Sequence, residues 1–360
     1  MILAVIRMVP RFFHHRLEVI DEVIDFVFKI NRMRYVHGAY RFFYGTTSLH
    51  RPRFIMLKLR LLFAFPLVAV ILGLAWVDEW IPVKGVVLMP VFLVSLGFLC
   101  RELLDLLSSG GLHPRRSTVY LGTFLMAVCC WVICVGHYHD RMYFPGMKNV
   151  DDVAWRWAAG AAMGILFIFA GGILIAFAGE MWRYKRPGGV TINLAGSVFI
   201  MGYLGLLSCF IILLRMTFGL GPLLMMIAIV KMNDTGAYTV GRIFGRHKMA
   251  PELSPKKTIE GGFGGLVFAV TTSWFCFTFL KTADVIVTNW LFFGLVVALA
   301  GSLGDLAGSL IKRDVGKKDS GSLIPGFGGF LDLFDSLILA APIAFFWWTF
   351  CVVKNTTPSL

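Results

Sequence analysis

Residues Val190–Leu214 read VTINLAGSVFIMGYLGLLSCFIILL, with no charged side chain anywhere in the run. A helix needs roughly 17–25 apolar residues to cross about 30 Å of hydrocarbon, and this stretch is long enough by itself. Leu61–Val77, Trp157–Ala178, Phe263–Leu280 and Val285–Ile311 are apolar runs of similar length. All are continuous rather than alternating, which excludes a β-barrel, whose strands alternate lipid-facing and lumen-facing residues. Hydrophobic residues make up 58% of the 360-residue chain and charged residues 15%, against roughly 45–50% and 25% in an average globular protein. The expected fold is an all-α integral membrane protein, a polytopic bundle of transmembrane helices.

Working outward from that run, nine spans are expected: Leu61–Val77, Val86–Leu107, Ser117–Gly136, Trp157–Ala178, Val190–Leu214, Phe218–Val230, Phe263–Leu280, Val285–Ile311 and Phe330–Val353. With the N-terminus cytoplasmic, 27 of the 34 Lys and Arg fall on cytoplasmic segments and seven outside, Arg215 and Lys281 among the latter. Lys and Arg concentrate on cytoplasmic loops, so this split orients the bundle. Dropping the short sixth span would put ten of those cytoplasmic charges on the wrong face. Three regions follow: a basic segment at 1–60, N-terminal transmembrane helices at 61–230, and a C-terminal region at 231–360. In the first, Leu17, Ile20, Ile24 and Phe28 recur at helical spacing opposite Glu18, Asp21, Glu22 and Asp25, the pattern of an amphipathic helix. No secretory leader is expected, because charges interrupt every apolar run before Arg60.

A net charge of +13 would suggest nucleic acid in a soluble protein. In a membrane protein, basic loops set topology and meet anionic lipid, so no nucleic acid is expected as a partner. The seven cysteines lie mostly in apolar runs. Cys129, Cys130 and Cys134 have no zinc-ligand spacing, and no disulfide framework is implied. His137 and His139 with Asp140 fall on the expected outer face and read as exposed loop residues.

The chemistry is expected where acidic residues enter the spans. Asp305 lies inside the eighth run, about two turns before Lys312, and Asp332 and Asp335 open the ninth at i, i+3 spacing, on one helical face. Both spans meet the loop Lys312–Gly329, so all three carboxylates come to the same depth. Ionisable groups within a span are costly and usually functional. Three carboxylates without a cation repel one another, and carboxylate oxygens are the ligands Mg²⁺ prefers. Ser309, four residues after Asp305, would supply a further oxygen. The alternative is that the carboxylates simply pair with Lys312, Arg313, Lys317 and Lys318. The loop carries those cations with Lys318-Asp319-Ser320-Gly321 and then Pro325-Gly326-Phe327-Gly328-Gly329. Cations with glycines whose N–H groups approach a ligand closely describe a polyphosphate cradle. No Walker A or GxGxxG pattern occurs.

A second cytoplasmic segment holds Lys231, Asn233, Asp234, Tyr238, Arg242 and Arg246, followed by Ser254-Pro255-Lys256-Lys257-Thr258 and Glu260-Gly261. Ser254-Pro255 reads as a helix N-cap and first helical position, which would put Lys256 and Lys257 in the first turn. The macrodipole disfavours cations there unless an anion is bound, so a phosphate is expected at that helix start.

These two segments resemble the phosphatidate cytidylyltransferase (CDP-diacylglycerol synthase) family. Ser309, Lys312, Arg313, Lys318, Asp319, Gly321, Pro325, Gly328, Gly329, Asp332 and Asp335 stand in register with the family's C-terminal signature, and the Asp234 and Ser254 elements are similar too. The resemblance covers about Lys231 to Ser336. It implies transfer of CMP from CTP to phosphatidate with Mg²⁺, alone or with a second cation, in a bacterial inner membrane with the site on the cytoplasmic face. It further implies catalytic roles for Asp305, Asp332, Asp335, Lys318 and Asp319, and substrate contacts from Asp234, Lys256, Lys257, Glu260, Lys312, Arg313, Gly328 and Gly329. Metal ligands would be Asp305, Ser309, Asp332 and Asp335. Membrane lipid and a second copy of the chain, in a homodimer, would be partners. Phe327 stands where the family has His, and Leu333 where it has Arg. Phosphatidate is already largely a dianion at pH 7 and needs little deprotonation, so these departures are compatible with activity. The alternatives are a CTP-dependent polyprenol or lipid kinase, whose hydroxyl acceptor would need a general base, and a catalytically inactive homologue. A secondary transporter would place its charges near the midplane of repeated halves, which this chain lacks.

Overall fold

The computed structural model describes residues 69–143, 150–185, 187–280, 287–321 and 329–352, all within the unit Lys58–Leu360. The expected amphipathic helix at Leu17–Phe28 and the start of the first span lie outside the described residues, as do Pro325, Gly326, Phe327 and Gly328. The chain runs through α1 (69–80), α2 (Leu88–Ser109), α3 (Arg116–Tyr143), α4 (Val150–Arg183) and α5 (Val190–Ile200). A π-helical turn, Met201–Leu206, joins α5 to α6 (Leu207–Phe218), and α7 (Leu220–Phe244) follows. Then come β1 (Lys248–Ala250), β2 (Ser254–Thr258), α8 (Ile259–Leu280), α9 (Val287–Asp314) and α10 (Leu331–Trp347), which ends in a second π-helical segment, Trp348–Val352.

The uncharged run that opens the sequence reading lies in one helical stretch. Among the described residues, Val190–Phe218 is one of six stretches long and apolar enough to cross a membrane, with Arg116–Gly136, Met163–Arg183, Ile259–Phe279, Asn289–Asp314 and Leu331–Cys351. The chain is thus an all-α polytopic membrane protein. Helices α1, α2 and α7 overlap the other three expected spans. Large side chains left exposed on α4, among them Phe167 and Trp182, suit contact with lipid, where an apolar surface costs nothing. The expected short sixth span extends in the structure through Lys231 and Asp234 to Phe244, after a break at Gly219, whose φ is +89°. That left-handed conformation is open to glycine at no steric cost.

Two expectations need correction. Arg215, counted among the outer-face charges, is a buried residue of α6. Its Nη2 lies 2.7 Å from Asp78 Oδ2 and 3.0 Å from Glu79 Oε1. Asp78 also accepts the N–H groups of Gly85 and Val87, each at 3.0 Å. A charge taken out of water needs such a partner. Second, Ser254–Thr258 is a strand, not a helix start. It pairs antiparallel with β1, and α8 begins only at Ile259. Thr258, not Ser254, supplies the cap: its Oγ1 accepts the Gly261 N–H at 3.2 Å. Lys256 and Lys257 therefore precede the helix on an extended segment.

Glycines set the spacing of the helices around the site. A Cβ at Gly304 would lie 2.6 Å from the Asp335 carbonyl oxygen, and one at Gly261 would lie 2.7 Å from the Ala237 carbonyl oxygen. Small residues let backbones approach this closely. As a result α9 packs tightly on α10, and α8 on α7.

Candidate active site

The two polar segments meet at one end of the bundle, where they build two adjoining clusters. The first surrounds a cavity of about 460 Å³ between α7, β2, α8 and α9. Asp234, Lys256, Lys257 and Asp305 supply its polar wall, and Phe263, Leu266 and Leu299 are among its apolar lining. Lys257 Nζ lies 2.6 Å from Asp305 Oδ2. Lys231 sits 3.7 Å from Asp234. Asn233 Nδ2 donates to Ser302 Oγ at 2.9 Å, tying α7 to α9 beside the cavity.

The second cluster lies where α9 ends and α10 begins. Lys312 Nζ is 2.5 Å from Asp332 Oδ1. Asp332 Oδ2 accepts the Gly329 N–H at 3.0 Å and the Ser320 N–H at 3.4 Å. Gly329, expected to offer its N–H to phosphate, thus gives it to Asp332. Asp335 is buried against α9. Its Oδ1 accepts the Ser336 N–H at 2.6 Å, whereas Oδ2 has no hydrogen-bond partner among the described residues. Asp305, Lys312 and Asp332 are all within electrostatic reach of it.

Other expected site residues stand elsewhere. Arg313 turns away and donates to the carbonyls of Leu253 and Lys317, at 3.2 Å each. Glu260 accepts the N–H groups of Arg246 and His247 and meets His247 Nδ1 at 2.6 Å. It braces the base of the hairpin rather than facing the cavity carboxylates. Lys318 and Asp319 are exposed on the turn after α9, and Ser309, half-buried on α9, takes no part in either cluster's hydrogen bonds. Among the described residues, no group of three or more His, Cys, Asp or Glu side chains is gathered as a metal centre. Lysines lie against two of the carboxylates: Lys312, named in the ion-pairing alternative, against Asp332, and Lys257, not named there, against Asp305. A cation suits the chemistry of Asp335, whose buried Oδ2 has no hydrogen-bond partner among the described residues, with Asp305 and Asp332 at electrostatic range only.

The sequence model of the cytidylyltransferase family matches residues 58–351, which is most of the chain and includes both clusters. The chain belongs to the cytidylyltransferase family. It is 42% identical over 127 residues to the phosphatidate cytidylyltransferases of Staphylococcus epidermidis and Staphylococcus aureus, a stretch covering 35% of this chain and 48% of each of those proteins. It is also 40% identical over 128 residues to the Escherichia coli protein YnbB, covering 36% of this chain and 42% of that one. The matched stretch spans less than half the length of these relatives.

For a cytidylyltransferase-family chain, the structure adds three residues that sequence reasoning missed. Glu102, on α2, reaches the start of α10 (below). Lys231 donates to the Leu333 carbonyl at 3.0 Å and so ties α7 to α10. Tyr203, on the π-helical turn, has a buried hydroxyl with no partner among the described residues and is within electrostatic reach of Asp335. Glu102 carried a signal: it lies inside the expected span Val86–Leu107, and the rule that singled out Asp305 applies equally to it. For Tyr203 there was none, since a tyrosine in an apolar run is ordinary.

Proposed function

We propose that this protein transfers CMP from CTP to phosphatidate, giving CDP-diacylglycerol and pyrophosphate. One observation carries the reading: the two motif segments join so that Lys257–Asp305 borders a cavity lined by both charged and apolar side chains, with Lys312–Asp332 in the adjoining cluster. A nucleotide triphosphate needs the charged groups and a lipid acceptor the apolar ones. A phosphatidate oxygen attacks the α-phosphorus of CTP, a P–O bond forms, and the bond to the bridging oxygen of pyrophosphate breaks. Because the acceptor is a dianion at neutral pH, the step requires no strong base, in keeping with Phe327 at the family's histidine position. Lys256, Lys257 and Lys312 would hold the phosphates, positioning them and balancing the charge that develops on the leaving group. When bound, Mg²⁺ would neutralise the triphosphate, and Asp305, Asp332 and Asp335 would hold it. Relatives named phosphatidate cytidylyltransferase support the same chemistry. The cytoplasmic face of a bacterial inner membrane is the proposed location, from the split of basic residues and the bacterial relatives. A homodimer belongs to the proposal through the family resemblance alone.

The test is thin-layer separation of lipids after incubating purified protein with phosphatidate, Mg²⁺ and CTP labelled in the α-phosphate. Labelled CDP-diacylglycerol is expected. With CTP labelled in the γ-phosphate and a lipid alcohol as acceptor, a labelled lipid phosphate would replace this proposal with the kinase reading.

A further inference from the structure

Glu102 is 4% exposed, in the middle of a helix otherwise buried through leucines. A buried carboxylate is costly unless its oxygens are satisfied. Here every partner comes from one place. Oε1 accepts the Phe330 N–H at 2.8 Å, and Oε2 accepts the Leu331 N–H at 2.8 Å and the Ser320 hydroxyl at 3.1 Å. Ser320 follows α9 and Phe330–Leu331 open α10, so one side chain of α2 clasps the end of one helix segment to the start of the next. The glycines beside them make room for it. A Cβ on Gly321 would lie 2.5 Å from Oε1 and one on Gly329 would lie 2.7 Å from Oε2. These glycines, expected to admit a phosphate, admit a carboxylate of the protein itself. The Phe98 and Phe330 rings, 5.8 Å apart, dock α2 on the same corner.

The first N–H groups of a helix have no partner within it. Glu102 takes two of them on α10, and its charge opposes the positive end of the helix dipole. Leu331 directly precedes Asp332, and Asp335 is one turn further on. Wherever Glu102 holds Phe330 and Leu331, the two aspartates follow. We infer that Glu102 is a positioning residue that sets the start of α10, and thereby Asp332 and Asp335, for the CMP transfer proposed above, on which this inference rests. Its oxygens are taken up by these donors, so it acts through α10.

The decisive variant is Glu102→Gln, which keeps the shape but replaces one acceptor oxygen with a donor that faces other donors. The full-length protein in lipid nanodiscs is assayed for kcat and for KM toward CTP, together with thermal unfolding and amide exchange at residues 329–332. Expected are a fall in kcat of about thirtyfold or more, a KM for CTP within about threefold, a small drop in unfolding temperature that leaves the protein folded at the assay temperature, and faster exchange confined to 329–332. A kcat within about twofold of wild type overturns the inference, as does exchange that accelerates across the whole bundle in step with lost activity. Should Glu102→Gln fail to fold, Ser320→Ala, which removes a single bond, is judged by the same measurements with a smaller fall in kcat expected. Should the wild-type protein make no CDP-diacylglycerol, the proposed function fails. The exchange result still decides the role of Glu102: acceleration confined to 329–332 upholds it, and unchanged exchange overturns it.

Discussion

Lys257 on β2 and Asp305 on α9 form an ion pair of 2.6 Å on the wall of the cavity, joining a strand to a helix that the sequence separates by all of α8. The side chains are 24% and 38% exposed, so solvent screens their attraction and the pair contributes only roughly 0–1 kcal/mol to folding. Stability is therefore a weak reason for its presence. Asp305→Asn and Lys257→Ala should leave the unfolding temperature nearly unchanged while lowering turnover by about a hundredfold or more. Steady-state rates measured beside thermal unfolding check this. Activity lost only in proportion to folded protein would reduce the pair to a structural brace.

Lys312 and Asp332 differ in being more enclosed, at 10% and 18% exposed. Lys312→Met should leave Asp332 with its two N–H donors but no cation, destabilising the protein by about 1–3 kcal/mol. Chemical denaturation of the variant in detergent measures the effect. An unchanged midpoint would mean that Asp332 finds its counter-charge elsewhere.

The α9–α10 contact depends on two glycines. Gly304→Ala presses a methyl against the backbone of Asp335 and Ser336, and Gly308→Ala presses one against the Asp335 carboxylate. Each should cost about 1–3 kcal/mol by overpacking and should also lower activity, because Asp335 is displaced. Gly171→Ala on α4 is the control, since a Cβ there meets nothing within 4 Å. Equal behaviour of the three variants would contradict the close packing of α9 on α10.

Arg215→Met should be among the most damaging substitutions far from the site. It strands Asp78, which is fully buried, and breaking a buried pair from one side costs about 3–5 kcal/mol. Arg215→Met combined with Asp78→Asn should recover part of that loss, since the uncompensated charge is removed while an amide oxygen can still accept from the Gly85 or Val87 N–H. A double-mutant cycle by denaturation reads the coupling.

Topology is open to labelling. With the native cysteines replaced, Lys317→Cys should react with an impermeant thiol reagent only from the cytoplasmic side, and Lys281→Cys only from outside. Reaction of both from one face would rule out nine spans.

Some of this protein was determined by local sequence alone. Val190–Leu214 is uncharged throughout, and in hydrocarbon a backbone must satisfy its own hydrogen bonds, so the run had to be helical. Asp305, Asp332 and Asp335 stood out because a carboxylate inside a span is costly whatever surrounds it. That two distant segments build one site followed from both lying on the same predicted face of the membrane.

Partnership was decided only by the tertiary structure. Ser254-Pro255 suits a helix start and a strand alike; the hydrogen bonds to Lys248–Ala250 chose the strand, and they exist only once the hairpin closes. Likewise, nothing near Lys257 in the sequence names Asp305, and nothing near Glu102 names Phe330, 228 residues further on. Periodicity records which face of a helix is apolar. A hydrogen bond across the bundle depends on how two helices meet, and neither helix carries that information alone.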